Sequence, residues 1–140
     1  MHRHNKVQAL LPPGGHIDPN EDPVQAVLRE VLEETGLAVE VLPSDPPFPL
    51  KYPAQIFSPE IILVEDIQDS VAGPHQHIDM IYFCRPTGSI QNLKSGWYWV
   101  TEEELVLGSK VVVNDGTYAV PPEDVRLLGL RAIKRANDEP

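Results

Sequence analysis

The sequence predicts an α/β sandwich around a mixed sheet, on three observations. An amphipathic helix with clear start and stop signals spans Pro23–Thr35, β-rich apolar runs lie on both sides of it, and a second helical period closes the chain after Pro122. Strands before and after helices point to helices packed on the faces of a sheet. The 140 residues suit one compact domain with little room for another. With 41% hydrophobic and 23% charged residues, the chain can bury a core and lies outside the disordered range.

Taken in order, residues 7–11 form a short apolar run closed by Pro12, Pro13, Gly14 and Gly15, which predicts a strand entering a tight loop. Asp22 suits a helix N-cap, Pro23 the first helical position and Gln25 the third, completing a capping-box pattern. Gly36 then suits the left-handed position that ends a helix. Residues 37–42 alternate and predict a strand. Several of the fifteen prolines crowd residues 43–59, which therefore read as loop. Residues 61–64 and 78–84 read as buried strands, and residues 96–100 as another. A short acidic helix is expected over residues 101–107 and a turn at Asn114, Asp115 and Gly116. The last helix is expected over residues 122–136, where Val125, Leu128 and Ala132 recur at helical spacing.

Charge and cysteine usage narrow the function classes. The formal net charge is −10, from 21 acidic and 11 basic residues. Gripping a nucleic-acid backbone takes a concentrated basic stripe, and no run of Lys and Arg supplies one. No nucleic-acid partner is expected. The excess of carboxylates is instead compatible with bound divalent metal. Cys84 is the single cysteine, so an intramolecular disulfide and a cysteine-based zinc site are both excluded, and a buried, inert thiol is expected. No apolar run reaches the roughly 18 residues of a membrane span, and Met1 opens no signal-peptide pattern. The expectation is a soluble, cytoplasmic protein without a membrane partner.

The helix divides by angle. At about 100° per residue, Val24, Val27, Leu28, Val31, Leu32 and Thr35 gather on one side, and Glu30, Glu33 and Glu34 occupy much of the other. Carboxylates at these spacings repel by about 0.2–0.5 kcal/mol per pair. A hard divalent cation reverses that sign, because it takes oxygen ligands. A plain solvated acidic face produces the same spacing, and Arg29 can pair with Glu33 one turn along. The helix alone leaves both readings open.

The wider pattern decides between them. From Gly15, five residues lead to Glu21, and seven more lead to Arg29, Glu30, Val31, Leu32, Glu33, Glu34, Thr35, Gly36 and Leu37. Residues 15–37 resemble the Nudix box at every defined position. Background residue frequencies make a chance match on the order of one in ten million for a chain of this length. The resemblance implies a Nudix-type αβα sandwich that hydrolyses a diphosphate linkage with Mg²⁺, or Mn²⁺, as cofactor. It implies Glu30, Glu33, Glu34 and the Gly15 carbonyl as metal ligands, with Glu30 and Glu34 the principal ones. It implies Glu30, Glu33 and Arg29 as the catalytic set, with Glu30 or a loop acid as base and Arg29 orienting the carboxylates. Glu21 reads as structural. The implied substrate is a small nucleoside diphosphate derivative, either a nucleotide sugar such as ADP-ribose or a nucleoside triphosphate. A loose resemblance over residues 77–86 leans to the nucleotide sugar. The alternative is a Nudix-fold module that senses a nucleotide without cleaving it, against which stands the full set of box carboxylates. A prenyl diphosphate isomerase of the same fold is a further rival, and the setting of Cys84 does not resemble that enzyme's.

Other residues are candidates for the substrate. His16 follows the glycines and is placed to touch a phosphate. Trp97 and Tyr98 are candidates for base stacking, while Trp99 is expected in the core. His75 and His77 share one side of an extended chain, which could suit a metal, but exposed or hydrogen-bonded loop histidines are the favoured reading. Glu65, Asp79, Glu102 and Glu103 are the downstream acids that a Nudix metal site could recruit. Family members carry a strand or hairpin ahead of the box, and residues 1–6 read as the tail of one, truncated or with its start misassigned. The edge of residues 7–11 would then be unpaired, which invites a second copy of the chain into a homodimer.

Overall fold

The computed structural model describes residues 1–5, 7–113 and 116–138. In chain order the elements are β1 (His2–Arg3), β2 (Leu10–Leu11), α1 (Pro23–Thr35), β3 (Val39–Val41), β4 (Ile61–Asp69), β5 (Gly73–Ile81) and β6 (Cys84–Pro86). A 3-10 turn (Ile90–Asn92), α2 (Glu102–Leu107), β7 (Val111–Val112), β8 (Tyr118–Ala119) and α3 (Glu123–Asp138) follow. The expected α/β class and helix positions are found, with α3 running two residues beyond its expected end.

The ends of α1 are set as its sequence predicts. The Asp22 carboxylate accepts from the Val24 and Gln25 N–H groups at 2.8 and 3.0 Å, and the Asp22 N–H donates to Gln25 Oε1 at 3.0 Å. Such a cap contributes about 0.5–2 kcal/mol. Gly36 ends the helix at φ 78°, its N–H donating to the Leu32 carbonyl. Two residues depart from the expected division of faces. Leu32 is half exposed, because it stands at the margin of the apolar arc. Ala26, on the acidic side one turn before Glu30, is only 5% exposed. The acidic side is therefore covered at that point and not simply solvated.

Pairing among the described residues is antiparallel and two-stranded: β1 with β2, β3 with β6, β4 with β5, and β7 with β8. Backbone bonds extend these ladders sideways. Met1 and Tyr98 exchange N–H···O bonds of 2.7 Å in both directions, and the Leu10 N–H donates to the Val120 carbonyl at 3.2 Å. Around that seam Leu10, Val111, Val113 and Ala119 form a core cluster, with Met1, Tyr98 and Val100 packed on it. On the other side α2 packs on α3, where Leu105 is buried and Cδ1 lies 2.9 Å from where a Cβ on Gly129 would stand.

Four strand expectations are corrected. The strand expected over residues 7–11 shrinks to Leu10–Leu11, because Gln8 at φ 55° and the bonds between His4, Gln8 and Ala9 reverse the chain. That reversal brings His2–Arg3 alongside, so the edge expected to be open is paired by the chain's own residues. The strand expected over residues 96–100 is reduced to a single bridge between His2 and Trp97. The strands expected to be buried over residues 61–64 and 78–84 form instead a nine-pair hairpin, from Ile61 opposite Ile81 to Asp69 opposite Gly73. Its outer face leaves Ile62, Val64 and Ile78 more than half exposed. The turn is held by Asp69 Oδ1, which accepts from the Val71 and Ala72 N–H groups, and by Gly73 at φ 76°. Asn114 and Asp115 of the expected turn lie outside the described residues. Among the described residues, no helix is long and apolar enough to cross a membrane.

Candidate active site

The box assembles around one guanidinium. Arg29 Nε donates to Glu21 Oε1 and Nη2 to Glu21 Oε2, both at 2.9 Å, a two-pronged grip between helix and loop. Nη1 donates to Glu30 Oε1 at 2.8 Å and reaches Glu33 Oε2 at 3.5 Å, while Nη2 also donates to the His16 carbonyl at 3.0 Å. The bonds from Arg29, helped by the Asp18 backbone N–H, hold the Glu21 carboxyl down at about 2, against an ordinary 4.5. Glu21, and then Glu30, push the Arg29 guanidinium further above its ordinary value. Glu21 thus ties the loop to α1, and Arg29 fixes the Glu30 carboxylate in place.

The glycines lie across the acids. A Cβ on Gly15 would stand 2.3 Å from Glu30 Oε1, so the loop comes this close only because glycine has no side chain. The Gly14 N–H donates to Glu34 Oε2 at 3.1 Å. The Glu30 side chain is 17% exposed and that of Glu33 is 62% exposed. Glu30 and Glu34 therefore face the loop, while Glu33 stands toward solvent.

The model of the NUDIX domain family matches residues 1–129 of the chain. The chain belongs to the Nudix family. A hydrolase of the NUDIX family from Clostridium perfringens is similar in structure, with a TM-score of 0.68 at 25% identity, over 95% of this chain and 85% of that one. No curated protein matches the sequence. The protein is thus a Nudix hydrolase by family and fold.

The donor set suits a hard cation: three carboxylates on adjacent turns, with the Gly15 backbone close against Glu30. Among the described residues, no three His, Cys, Asp or Glu side chains are already grouped to hold an ion. Glu30 and Glu34 are engaged by Arg29 and the Gly14 N–H instead. Glu30, Glu33, Glu34 and the Gly15 carbonyl fit a cation by chemistry, and Glu34 can offer Oε1 to it while Oε2 keeps the Gly14 N–H.

The remaining candidates separate. The His16 ring meets the His77 ring edge-on at 5.6 Å, so the box loop touches β5. Alternation and register put His75, His77, Asp79 and Glu65 on one face of the β4–β5 hairpin. The structure therefore brings the Glu65 and Asp79 face toward the loop, whereas Glu102 and Glu103 open α2, which packs on α3. Tyr98, expected at a base, packs on the core cluster. Trp97 stacks on His2 at 4.5 Å with rings 5° from parallel. Trp99, expected in the core, is 54% exposed, while its neighbours Trp97 and Tyr98 pair with His2 and Met1. Sequence reading missed His2. Burial lowers the pKa of His2 and the nearby charge of Glu34 opposes the shift, so its imidazole lies within the field of a box acid. A terminal histidine carries no periodic signal by which it could have been found. Cys84, expected to be buried, is half-buried, and burial pushes its thiol up to about 11.

Proposed function

We propose that this Nudix hydrolase is a Mg²⁺-dependent pyrophosphohydrolase that cleaves the diphosphate linkage of a small nucleoside diphosphate derivative. The observation that supports it is the joint fixing of loop and helix: Arg29 holds Glu21 and Glu30 while the Gly14–Gly15 backbone lies over Glu30 and Glu34. Glu30, Glu34 and the Gly15 carbonyl would hold the cation. A divalent cation held there would neutralise phosphate oxygens and make water a better nucleophile. Gly14, where an added Cβ would meet nothing within 4 Å, leaves room for a diphosphate beside the loop. Arg29 keeps the Glu30 carboxylate at a fixed angle to that space. Glu33, the least constrained of the three acids, and Glu30 are the groups able to accept a proton from the attacking water.

Nucleotide sugars and nucleoside triphosphates are both substrates of this description, and we favour the nucleotide sugar. A phosphate-release screen over nucleotides, nucleotide sugars and dinucleotides, with and without Mg²⁺, tests the reading. Turnover in ¹⁸O-water should place label on a phosphate product. Hydrolysis of p-nitrophenyl phosphate without turnover of any diphosphate would overturn it.

A further inference from the structure

The expected start of β5 fell at residue 78, and the observed strand begins five residues earlier, at Gly73. His75 and His77 consequently lie inside the ladder and project from the same face. Their Nε2 atoms are 3.2 Å apart and their ring centroids 5.0 Å apart. His75 Nδ1 sits 2.9 Å from the Gly73 carbonyl oxygen. A carbonyl can only accept, so Nδ1 carries the hydrogen, and a neutral His75 presents a bare Nε2 lone pair toward His77. Histidines that bind metals orient their rings in this way, giving the distal N–H to a carbonyl or carboxylate.

The spacing also fits. Two imidazole nitrogens at about 2.0–2.1 Å from a tetrahedral ion stand about 3.3–3.4 Å apart. The observed 3.2 Å is within a few tenths of that. Glu65 is directly across the ladder from His77 and on the same face, and the His16 ring approaches His77 from the box loop. Imidazole nitrogen selects zinc, nickel and copper, whereas carboxylate oxygen suits magnesium. We propose that His75 and His77 form a two-imidazole site for a late first-row divalent ion such as Zn²⁺, separate from the acids of α1. Among the described residues no third His, Cys, Asp or Glu stands with the pair, so water would fill the open positions unless Glu65, across the ladder from His77, turned toward the ion.

In the absence of metal, the same contact is an Nε2–H···Nε2 hydrogen bond, and the experiment distinguishes the two. The full chain is titrated with Zn²⁺ by calorimetry in excess Mg²⁺, which occupies the carboxylates, while imidazole nitrogens are followed by ¹⁵N NMR. One Zn²⁺ should bind per chain, the Nε2 resonances of both histidines should move, and His75→Ala and His77→Ala should each weaken binding at least ~10-fold. Glu30→Gln and His4→Ala should leave the affinity unchanged. His75 is exposed, so His75→Ala should keep its melting temperature in chelator but lose the rise in Tm that Zn²⁺ gives the parent chain. Equal Zn²⁺ affinity in parent and both histidine variants, or no uptake by the parent chain, overturns the proposal.

Discussion

Arg29 holds Glu21 by both carboxylate oxygens at 2.9 Å, across eight residues of chain, and the same guanidinium reaches Glu30 at 2.8 Å. One side chain thus closes the loop and aims a box acid. The Glu21 carboxyl sits at about 2 in the fold against an ordinary 4.5, so folding disfavours its protonation. The stability it contributes is fully present above about 4.5 and is lost as pH falls toward about 2. Glu21→Gln should flatten the acid limb of the melting-temperature curve in that window. Curves that run parallel for the variant and the parent chain would show that the contact is not formed in solution.

Replacing Arg29 by Lys keeps the charge and loses the fork. A lysine cannot serve Glu21, Glu30 and the His16 carbonyl together. We expect activity to fall roughly 10- to 100-fold, as for other residues that orient metal ligands. Steady-state kinetics over a Mg²⁺ titration check this, and the Mg²⁺ requirement should rise with the loss. An unchanged Mg²⁺ dependence would contradict it.

The two glycines of the loop should respond differently to alanine. At Gly15 the added Cβ would meet Glu30 Oε1 at 2.3 Å and push the carboxylate off Arg29, whereas at Gly14 it would find nothing within 4 Å. Gly15→Ala should lose roughly 10- to 100-fold in turnover with little change in melting temperature. Gly14→Ala should stay near the parent rate, because its N–H still donates to Glu34. Equal losses at both positions would mean that the contact between Gly15 and Glu30 does not matter.

What could be read from the sequence followed how local the cause was. The capping of α1 by Asp22 and Gln25, and of α2 by Thr101 and Glu104, involves residues within one turn, and both helices stand where the pattern puts them. The contacts of Arg29 with Glu21 lie within the span of the box. The N-terminal hairpin depends on a reversal at Gln8 in a backbone conformation that glutamine rarely adopts, so no pattern signals it. Trp99 and Tyr98 exchange their expected settings because Met1 pairs with Tyr98, 97 residues away. The β5 histidines looked like loop residues because the apolar run that marks the strand starts only at Ile78, and the pairing with β4 shows them to be in a strand.

His2 offers an optical test of the site's edge. Its ring stacks on Trp97, and burial lowers its pKa from 6.5 while Glu34 acts in the opposite direction. A protonated imidazole against an indole quenches its emission. Tryptophan fluorescence should therefore fall with a midpoint below 6.5, and His2→Ala should abolish that step. Glu34→Gln removes the opposing charge and should move the midpoint lower still. A midpoint unaffected by Glu34→Gln would separate His2 from the box.

The proposed function turns on the three box acids. Glu30 and Glu34 stand one turn apart under the glycine loop, and Glu40 lies outside it, paired with Arg85 at 2.6 Å on an exposed surface. If the acids were only a solvated face, Glu30→Gln would cost no more than about 0.5 kcal/mol and change little else. Relief of repulsion between neighbouring carboxylates could even raise the melting temperature slightly. If they hold a cation and position water, Glu30→Gln removes a charged ligand or base, and turnover should fall at least ~100-fold. Glu34→Gln should lose activity likewise and raise the Mg²⁺ concentration needed for half-maximal rate. Glu40→Gln should do neither, since an exposed ion pair contributes about 0–1 kcal/mol. Mg²⁺ titrations of kcat and melting temperatures across the three variants separate these outcomes, and a fully active Glu30→Gln would remove the acids from the mechanism.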